Sequence, residues 1–350
     1  MPVGVKYIFI MTDIDEKWIK VMAPVVKDGI INDIQLITGG GSRRAFYRVQ
    51  CSNGSYILQV TENIHELSDY MEIGDFFYHH GVNVPRLLSG TAPGGVALFE
   101  DAGDVSLRSV VMPLLDRGEH DAVKHIYRQA IDQLLMIQAI PFAKAPATIR
   151  ERAFDSLHYK WESDYFLENC AGNYFKESAI CDPILGQELD EMVQKLLNEP
   201  LFVVHRDFQS ENIHLKEDRI ILLDYQSARI GSMFYDLASL LRDPYVFLPW
   251  KIHDELFDYY LEVHQQFTGR EDLSPQQAKQ IYNLVSVQRL MQALGAYGKL
   301  GLVDRKARFL QFIPPALEIL YRILHELAGL RRLRRLVEKM RDTLEVPHKS

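Results

Sequence analysis

Cysteine is scarce in this chain of 350 residues, which has only Cys51, Cys170 and Cys181. The number is odd, and no two stand as Cys-x-x-Cys. That argues against a disulfide framework and against a cysteine-based zinc site, so the thiols read as reduced residues in or near the core. Positive charge is in deficit too, with 39 lysines and arginines against 47 acids and a formal net charge of −8. A protein that grips a nucleic-acid backbone usually shows the opposite sign, so no nucleic-acid partner is expected. No apolar run approaches the ~20 residues needed to cross a bilayer. The opening MPVGVKYIFIM lacks a proper h-region and a small-residue cleavage site. No membrane partner is expected, and the chain reads as cytoplasmic. Lysine is missing from one long stretch, with none between Lys27 and Lys124. Internal repeats and low-complexity linkers are absent as well.

What is present suits a globular protein, with 47% hydrophobic residues to fill a core. The length is large for one compact domain and fits two lobes sharing a cleft. Helical spacing of Trp18, Ile19 and Met22 predicts a first helix over 13–28. Strands follow. AFYRVQC and SYILQV are separated by Ser52-Asn53-Gly54, a strong hairpin signal. A helix is predicted from His65 to His80, then a strand in GGVALFEDAG. From about residue 104 the pattern turns helical. Val123, Tyr127, Ala130, Ile131 and Leu134 share one face, and helices are predicted over 153–169 and 186–198. Two short apolar strands, LFVV and RIILL, interrupt them, and after Tyr235 the chain is helical almost to its end. The expectation is an α+β fold of two lobes: a small antiparallel-sheet lobe over 1–102 and a larger helical lobe over 103–350. The basic stretch LRRLRRLVEKMR reads as a solvated helix face, with phosphate or lipid binding as the alternative.

The sharpest chemical feature is LFVVHRDFQSENIHL. An apolar strand delivers His205-Arg206-Asp207, and Asn212 follows five positions after the aspartate. A second apolar strand then delivers Asp224. Phosphoryl transfer needs these parts: a carboxylate beside the attacking hydroxyl, and an amide oxygen and a second carboxylate to hold magnesium against nucleotide phosphates. The bland alternative makes Asp207 and Asp224 turn residues and Asn212 a cap. His205 is assigned a structural role in the loop.

A second feature is Gly39-Gly40-Gly41-Ser42-Arg43-Arg44 between two strands. Glycines let backbone N–H groups approach phosphate oxygens with no Cβ in the way. No Gly-Lys-Ser/Thr follows, so this is not a Walker motif, and a plain glycine-rich turn is the competing explanation. A third feature is YDLASLLRDPY. Asp236 is placed to hydrogen-bond the catalytic loop from behind, or to serve as a carboxylate at a helix N-terminus. Asp243 and Tyr245, at the far end, are candidates to face the acceptor.

These strings, with GVNVPRLL and ALFEDAGD, resemble the aminoglycoside phosphotransferase and choline kinase superfamily, relatives of the protein kinases, over residues 30 to 300. The segment Asp224-Tyr225-Gln226, followed by Tyr235-Asp236 and a Leu-Leu-Arg-Asp run, is most similar to the anomeric N-acetylmuramate/N-acetylglucosamine kinases of cell-wall recycling. The resemblance implies a protein-kinase-like fold and ATP with Mg2+ as cofactors. It implies Asp207 as base, Asn212 and Asp224 as magnesium ligands, and adenine at Glu100, Asp101 and Ala102. It also exposes a departure. The superfamily usually carries a lysine in the third strand, paired with a helix glutamate, to hold the nucleotide phosphates. Gln59 stands there, and Glu72 is the nearest candidate partner. Either Arg43 or Arg44 supplies the charge, or magnesium and backbone N–H groups suffice. No long activation segment precedes Tyr235, which disfavours a protein substrate and points to a small molecule. An amino-sugar kinase is the leading expectation. A kinase for an aminoglycoside, choline or homoserine is the alternative, with Glu162, Asp164, Tyr165 and Asp243 available to a cationic acceptor. A non-catalytic nucleotide-binding protein is the third.

Overall fold

A computed structural model describes residues 15–27, 29–37, 44–268 and 273–345. In chain order the elements are α1 (Glu16–Val26), β1 (Ile31–Ile37), β2 (Ala45–Cys51), β3 (Gly54–Val60), α2 (Ile64–His79), β4 (Leu87–Thr91) and β5 (Val96–Glu100). There follow α3 (Leu107–Asp116), α4 (His120–Gln138), α5 (Ala147–Arg150), α6 (Ser156–Phe166), α7 (Pro183–Leu197) and β6 (Leu201–Val204). Then come β7 (Ile213–Lys216), β8 (Arg219–Leu222), β9 (Arg229–Ser232), α8 (Phe234–Leu241), α9 (Trp250–Thr268), α10 (Pro275–Gly298), α11 (Ile313–Glu326) and α12 (Arg331–Glu345).

The chain packs as two compact units. The first runs to Val105 and takes in Ile213–Ser227; the second is Ser106–Asn212 with the chain from Ala228 onward. The sequence places a single break between 102 and 103. The structure instead returns the β7–β8 hairpin and the Asp224 turn to the first unit. Hydrogen bonds explain this. Leu222 N–H donates to the Asn83 carbonyl and Leu215 N–H to that of Val105, both at 2.8 Å. The Lys216 ammonium donates to the Asp101 carbonyl at 2.6 Å.

In the first unit the strands form an antiparallel sheet in the order β1-β2-β3-β5-β4. Cross-strand partners share a face. Leu58, opposite both Tyr47 and Leu98, faces α1 and closes a core with Met22, Val26 and Val49. The other face carries Gln59, opposite both Phe46 and Ala97, and by the two-residue period also Arg48, Ile57 and Phe99. Tyr70 of α2 meets Phe99 edge-on at 5.2 Å on that side.

The second unit is mostly helical, with β6 and β9 paired antiparallel so that Val204 stands opposite Arg229. At its centre α8 is buried along its whole length, as expected for a helix apolar all round. Helix α3 is not apparent from periodicity, because Pro113 lies inside it; Ser106 caps its start by accepting from the Ser109 N–H at 3.2 Å. The basic stretch near the end forms α12, and part of its charge goes into helix ends. Arg334 donates to the carbonyls of Leu324 and Leu327, and Glu188 accepts from the first N–H groups of α12. No helix among the described residues is long and apolar enough to cross a membrane.

Candidate active site

The second unit holds the catalytic loop from two ends with one helix. Asp236 lies in the first turn of α8 and Asp243 two residues past its end. Asp236 accepts from the N–H groups of His205 at 2.6 Å and Arg206 at 2.8 Å. Asp243 accepts from both the N–H and the hydroxyl of Ser210, at 2.8 and 2.6 Å, and from the Tyr245 N–H at 2.9 Å. Burial pushes Asp236 up to about 7, while its two backbone donors pull the other way. Arg206 adopts a left-handed backbone with φ of 80°, uncommon for a side-chain-bearing residue. The buried bonds beside it hold that turn.

Between these anchors sits Asp207. The Arg206 guanidinium pairs with its carboxylate at 3.0 Å. Burial works to raise the Asp207 carboxyl, but Arg206 and then Arg289 outweigh it and hold the group below the usual range. Asp207 is therefore ionised at neutral pH. Asn212 donates its side-chain N–H to the Asp207 carbonyl at 2.9 Å, which leaves its amide oxygen as the atom suited to a hard cation.

In the first unit the counterpart is Asp224, half-buried and also left-handed at φ 62°. Its Oδ1 accepts from Gln226 and from Arg44, each at 3.0 Å. Arg44 also reaches Glu66 of α2 at 3.3 Å, so one guanidinium ties the helix glutamate to the aspartate. A cation paired with a helix glutamate is what the missing third-strand lysine would have made, and here the cation stands just before β2. The expected partner changes as well. Glu72 is exposed, whereas Glu66, in the first turn of α2, makes the pair. Six residues turn a helix through ~600°, so the two glutamates cannot share a face.

Gln59 is fully buried, and neither polar atom of its amide has a partner among the described residues. A buried unsatisfied amide costs ~1–3 kcal/mol. Gln59→Leu is accordingly expected to raise the melting temperature, by differential scanning fluorimetry, rather than lower it. Tyr225, next to Asp224, stacks on Tyr70 at 4.3 Å and 20°. Its hydroxyl lies where a Cβ on Gly74 would stand, 2.5 Å from that position. Gly74→Ala is expected to displace Tyr225 and cost ~1–3 kcal/mol by overpacking, read from urea unfolding.

Gly39, Gly40, Gly41, Ser42 and Arg43 lie outside the described residues. Glu100 pairs with Arg86 at 3.3 Å. The Asp101 carboxylate is taken up by Arg48, Ser55 and the Gly103 N–H, and Ala102 is buried. Glu162 is fully buried, accepting from the Tyr235 hydroxyl at 3.0 Å and from Gln288 at 3.1 Å. Asp164 pairs with Lys160 at 3.2 Å. Tyr245 packs edge-on against Phe312. Sequence inspection misses Arg289, buried on α10, whose Nε donates to Ser239 at 2.8 Å and whose charge reaches Asp207. Its available signal was an arginine within the largely apolar run Leu284 to Leu294 of α10.

Residues 33–273 match the phosphotransferase enzyme family, APH. The chain belongs to that family, and is a kinase. Among curated relatives it is 26% identical over 306 residues to an N-acetylmuramate/N-acetylglucosamine kinase of Neisseria meningitidis, covering 85% of this chain and 87% of that one. A protein of the same name from Pseudomonas aeruginosa is 25% identical, with 78% of each chain covered. Among solved structures, the Plasmodium vivax ethanolamine kinase superposes with a TM-score of 0.58 at 15% identity, covering 85% of this chain and 83% of that one. The ADP-bound aminoglycoside phosphotransferase APH(2'')-Ib gives 0.55 at 12% identity, covering 87% and 96%. These likenesses show the fold, the kinase-like arrangement expected from the sequence.

Proposed function

We propose that this kinase transfers the terminal phosphoryl group of ATP to the anomeric hydroxyl of an amino sugar, N-acetylmuramate or N-acetylglucosamine. The observation that carries the proposal is the Arg206–Asp207 pair. A carboxylate held below its usual range is a weak base, and an anomeric hydroxyl is more acidic than an ordinary alcohol, so it needs less help. The names of the curated relatives support the same acceptor class. The acceptor oxygen bonds to the γ-phosphorus, the bond from phosphorus to the bridging oxygen of ADP breaks, and Asp207 takes the hydroxyl proton. Asp224 and the Asn212 amide oxygen are hard donors that suit magnesium, which would neutralise phosphate charge when bound. Arg44, braced by Glu66, is assigned to the nucleotide phosphates.

A cationic acceptor is less well supported, because Glu162 and Asp243 are enclosed and hydrogen-bonded within the second unit. A non-catalytic role is less well supported, because the Arg44–Glu66 pair offers a cation that can do the work of the missing lysine. The test is ADP release with Mg-ATP and N-acetylmuramate, N-acetylglucosamine, glucose, choline or kanamycin. Turnover with the acetamido sugars supports the proposal. Turnover with choline or kanamycin alone overturns it.

A further inference from the structure

Helix α6 has two unlike faces. Tyr159, Glu162, Ser163 and Phe166 point inward, a buried stripe at helical spacing. On the opposite side Trp161 is 49% exposed and stacks on Tyr165, with ring centroids 5.0 Å apart and planes 15° from parallel. His158, one turn earlier, lies 5.9 Å from Trp161. Trp161 presents its ring to solvent, and Tyr165, half-buried, backs it. Tyr165 is also fixed from behind. A Cβ on Gly295 of α10 would approach its ring to 2.7 Å, so α10 needs a residue without a side chain there.

This aromatic face connects to the catalytic loop by direct contacts. Arg229 stands opposite Val204, the last residue of β6 before the His205-Arg206-Asp207 turn. Its guanidinium donates to His158 and lies 5.0 Å over the Phe154 ring. His158 is held neutral, at about 4, by burial first and then by the nearby charges of Arg229 and Arg206. A neutral imidazole is what accepts from a guanidinium. On the inner side, Glu162 of the same helix bonds Tyr235, the neighbour of the Asp236 that holds the loop. Arg206 also reaches the Tyr165 hydroxyl electrostatically, opposing the rise that burial causes there. The row Arg229, His158, Trp161, Tyr165 therefore begins at the mouth of the loop that carries the base.

We infer that this row is the acceptor seat: Trp161, braced by the stacked Tyr165, supports the apolar face of a pyranose ring, and Arg229 takes an anionic substituent on that ring. The inference rests on the amino-sugar proposal and refines it. An aromatic surface satisfies the C–H face of a sugar without demanding a cation. A guanidinium suits a carboxylate through paired N–H donors. N-acetylmuramate carries such a carboxylate and N-acetylglucosamine does not, so the two parts of the seat are separable. Trp161 sets affinity for both sugars, and Arg229 sets preference for the acidic one.

The test is steady-state kinetics of the full chain with Mg-ATP and each sugar, for wild type, Trp161→Ala, Trp161→Phe, Arg229→Gln and Arg229→Lys. Trp161→Ala is expected to raise KM for both sugars about tenfold, the loss of a stacked ring face, with KM for ATP unchanged and partial recovery in Trp161→Phe. Arg229→Gln is expected to raise KM about tenfold for N-acetylmuramate and little for N-acetylglucosamine, with Arg229→Lys between. Trp161 is exposed, so its variants keep the test informative if Arg229→Gln fails to fold. Unchanged sugar KM in Trp161→Ala, or equal shifts for both sugars in a folded Arg229→Gln, overturns the seat while leaving the amino-sugar proposal standing. Wild-type enzyme that phosphorylates neither sugar overturns that proposal, and the seat falls with it.

Discussion

Asp207→Asn is expected to lower kcat by about 10²–10⁴-fold, the usual contribution of one positioned proton acceptor, while KM for ATP stays within a few-fold. Asparagine keeps the shape of the side chain but takes no proton, and it forfeits the ion pair with Arg206. The loop itself should survive, because its anchors are Asp236 and Asp243 bonding to backbone on either side of residue 207. Unfolding measurements therefore separate this variant from a merely unstable one. The pH profile gives a second readout. Asp207 is depressed by Arg206 and Arg289 against the effect of burial, so wild-type kcat/KM should hold as pH falls until the carboxylate protonates, below its ordinary range near ~4. Arg206→Met removes the larger opposing charge and leaves burial. The folded group then protonates at higher pH, and the acidic limb moves upward. A limb that stays put in Arg206→Met would mean the guanidinium does not set the charge state of the base.

The loop was legible because its parts are local. Five residues separate Asp207 from Asn212, and a strand precedes each turn, so spacing along the chain carries the geometry. Asp236 was legible for a similar reason, since it sits near the start of an otherwise largely apolar helix, where a carboxylate needs a purpose. The nucleotide clamp was not. Gln59, Arg44, Glu66 and Asp224 come from β3, the residue before β2, α2 and the turn after β8, and only the packed structure shows that Arg44 pairs with Glu66 and Asp224. Gln59 lies opposite Phe46, and Arg44 two residues further shares that face. The guanidinium that pairs with the helix glutamate thus comes from the residue before the neighbouring strand, out of reach of alignment by strand position. The surroundings of the acceptor candidates were legible only in part. Glu162 lies on the same i, i+3, i+4, i+7 stripe as Tyr159, Ser163 and Phe166, so its inward position was readable from periodicity. Asp101 likewise drew notice from its place beside the expected hinge, while Arg48 and Ser55, distant in sequence, bind its carboxylate.

The second large effect concerns Arg44. Arg44→Ala is expected to lower kcat/KM for Mg-ATP by about 10- to 150-fold, the range for losing a hydrogen bond to a charged partner at ~1.5–3 kcal/mol. Its side chain is nearly enclosed, with 8% exposure, and pairs with both Glu66 and Asp224. Removing it strips a positive charge from beside Asp224 and leaves Glu66 without that pair. Arg44→Lys should recover only part of the loss, because one ammonium does not reproduce a planar fork spanning two carboxylates. Glu66→Gln should fall between wild type and Arg44→Ala, since the guanidinium remains but one of its two braces is weakened. Gln59→Ala provides the contrast. Its amide has no partner among the described residues, so its removal should alter ATP kinetics by no more than a few-fold. If Gln59→Ala damages ATP use as much as Arg44→Ala, the phosphate-binding charge does not come from β2. A larger loss in Arg43→Ala than in Arg44→Ala would assign the role to the preceding arginine instead.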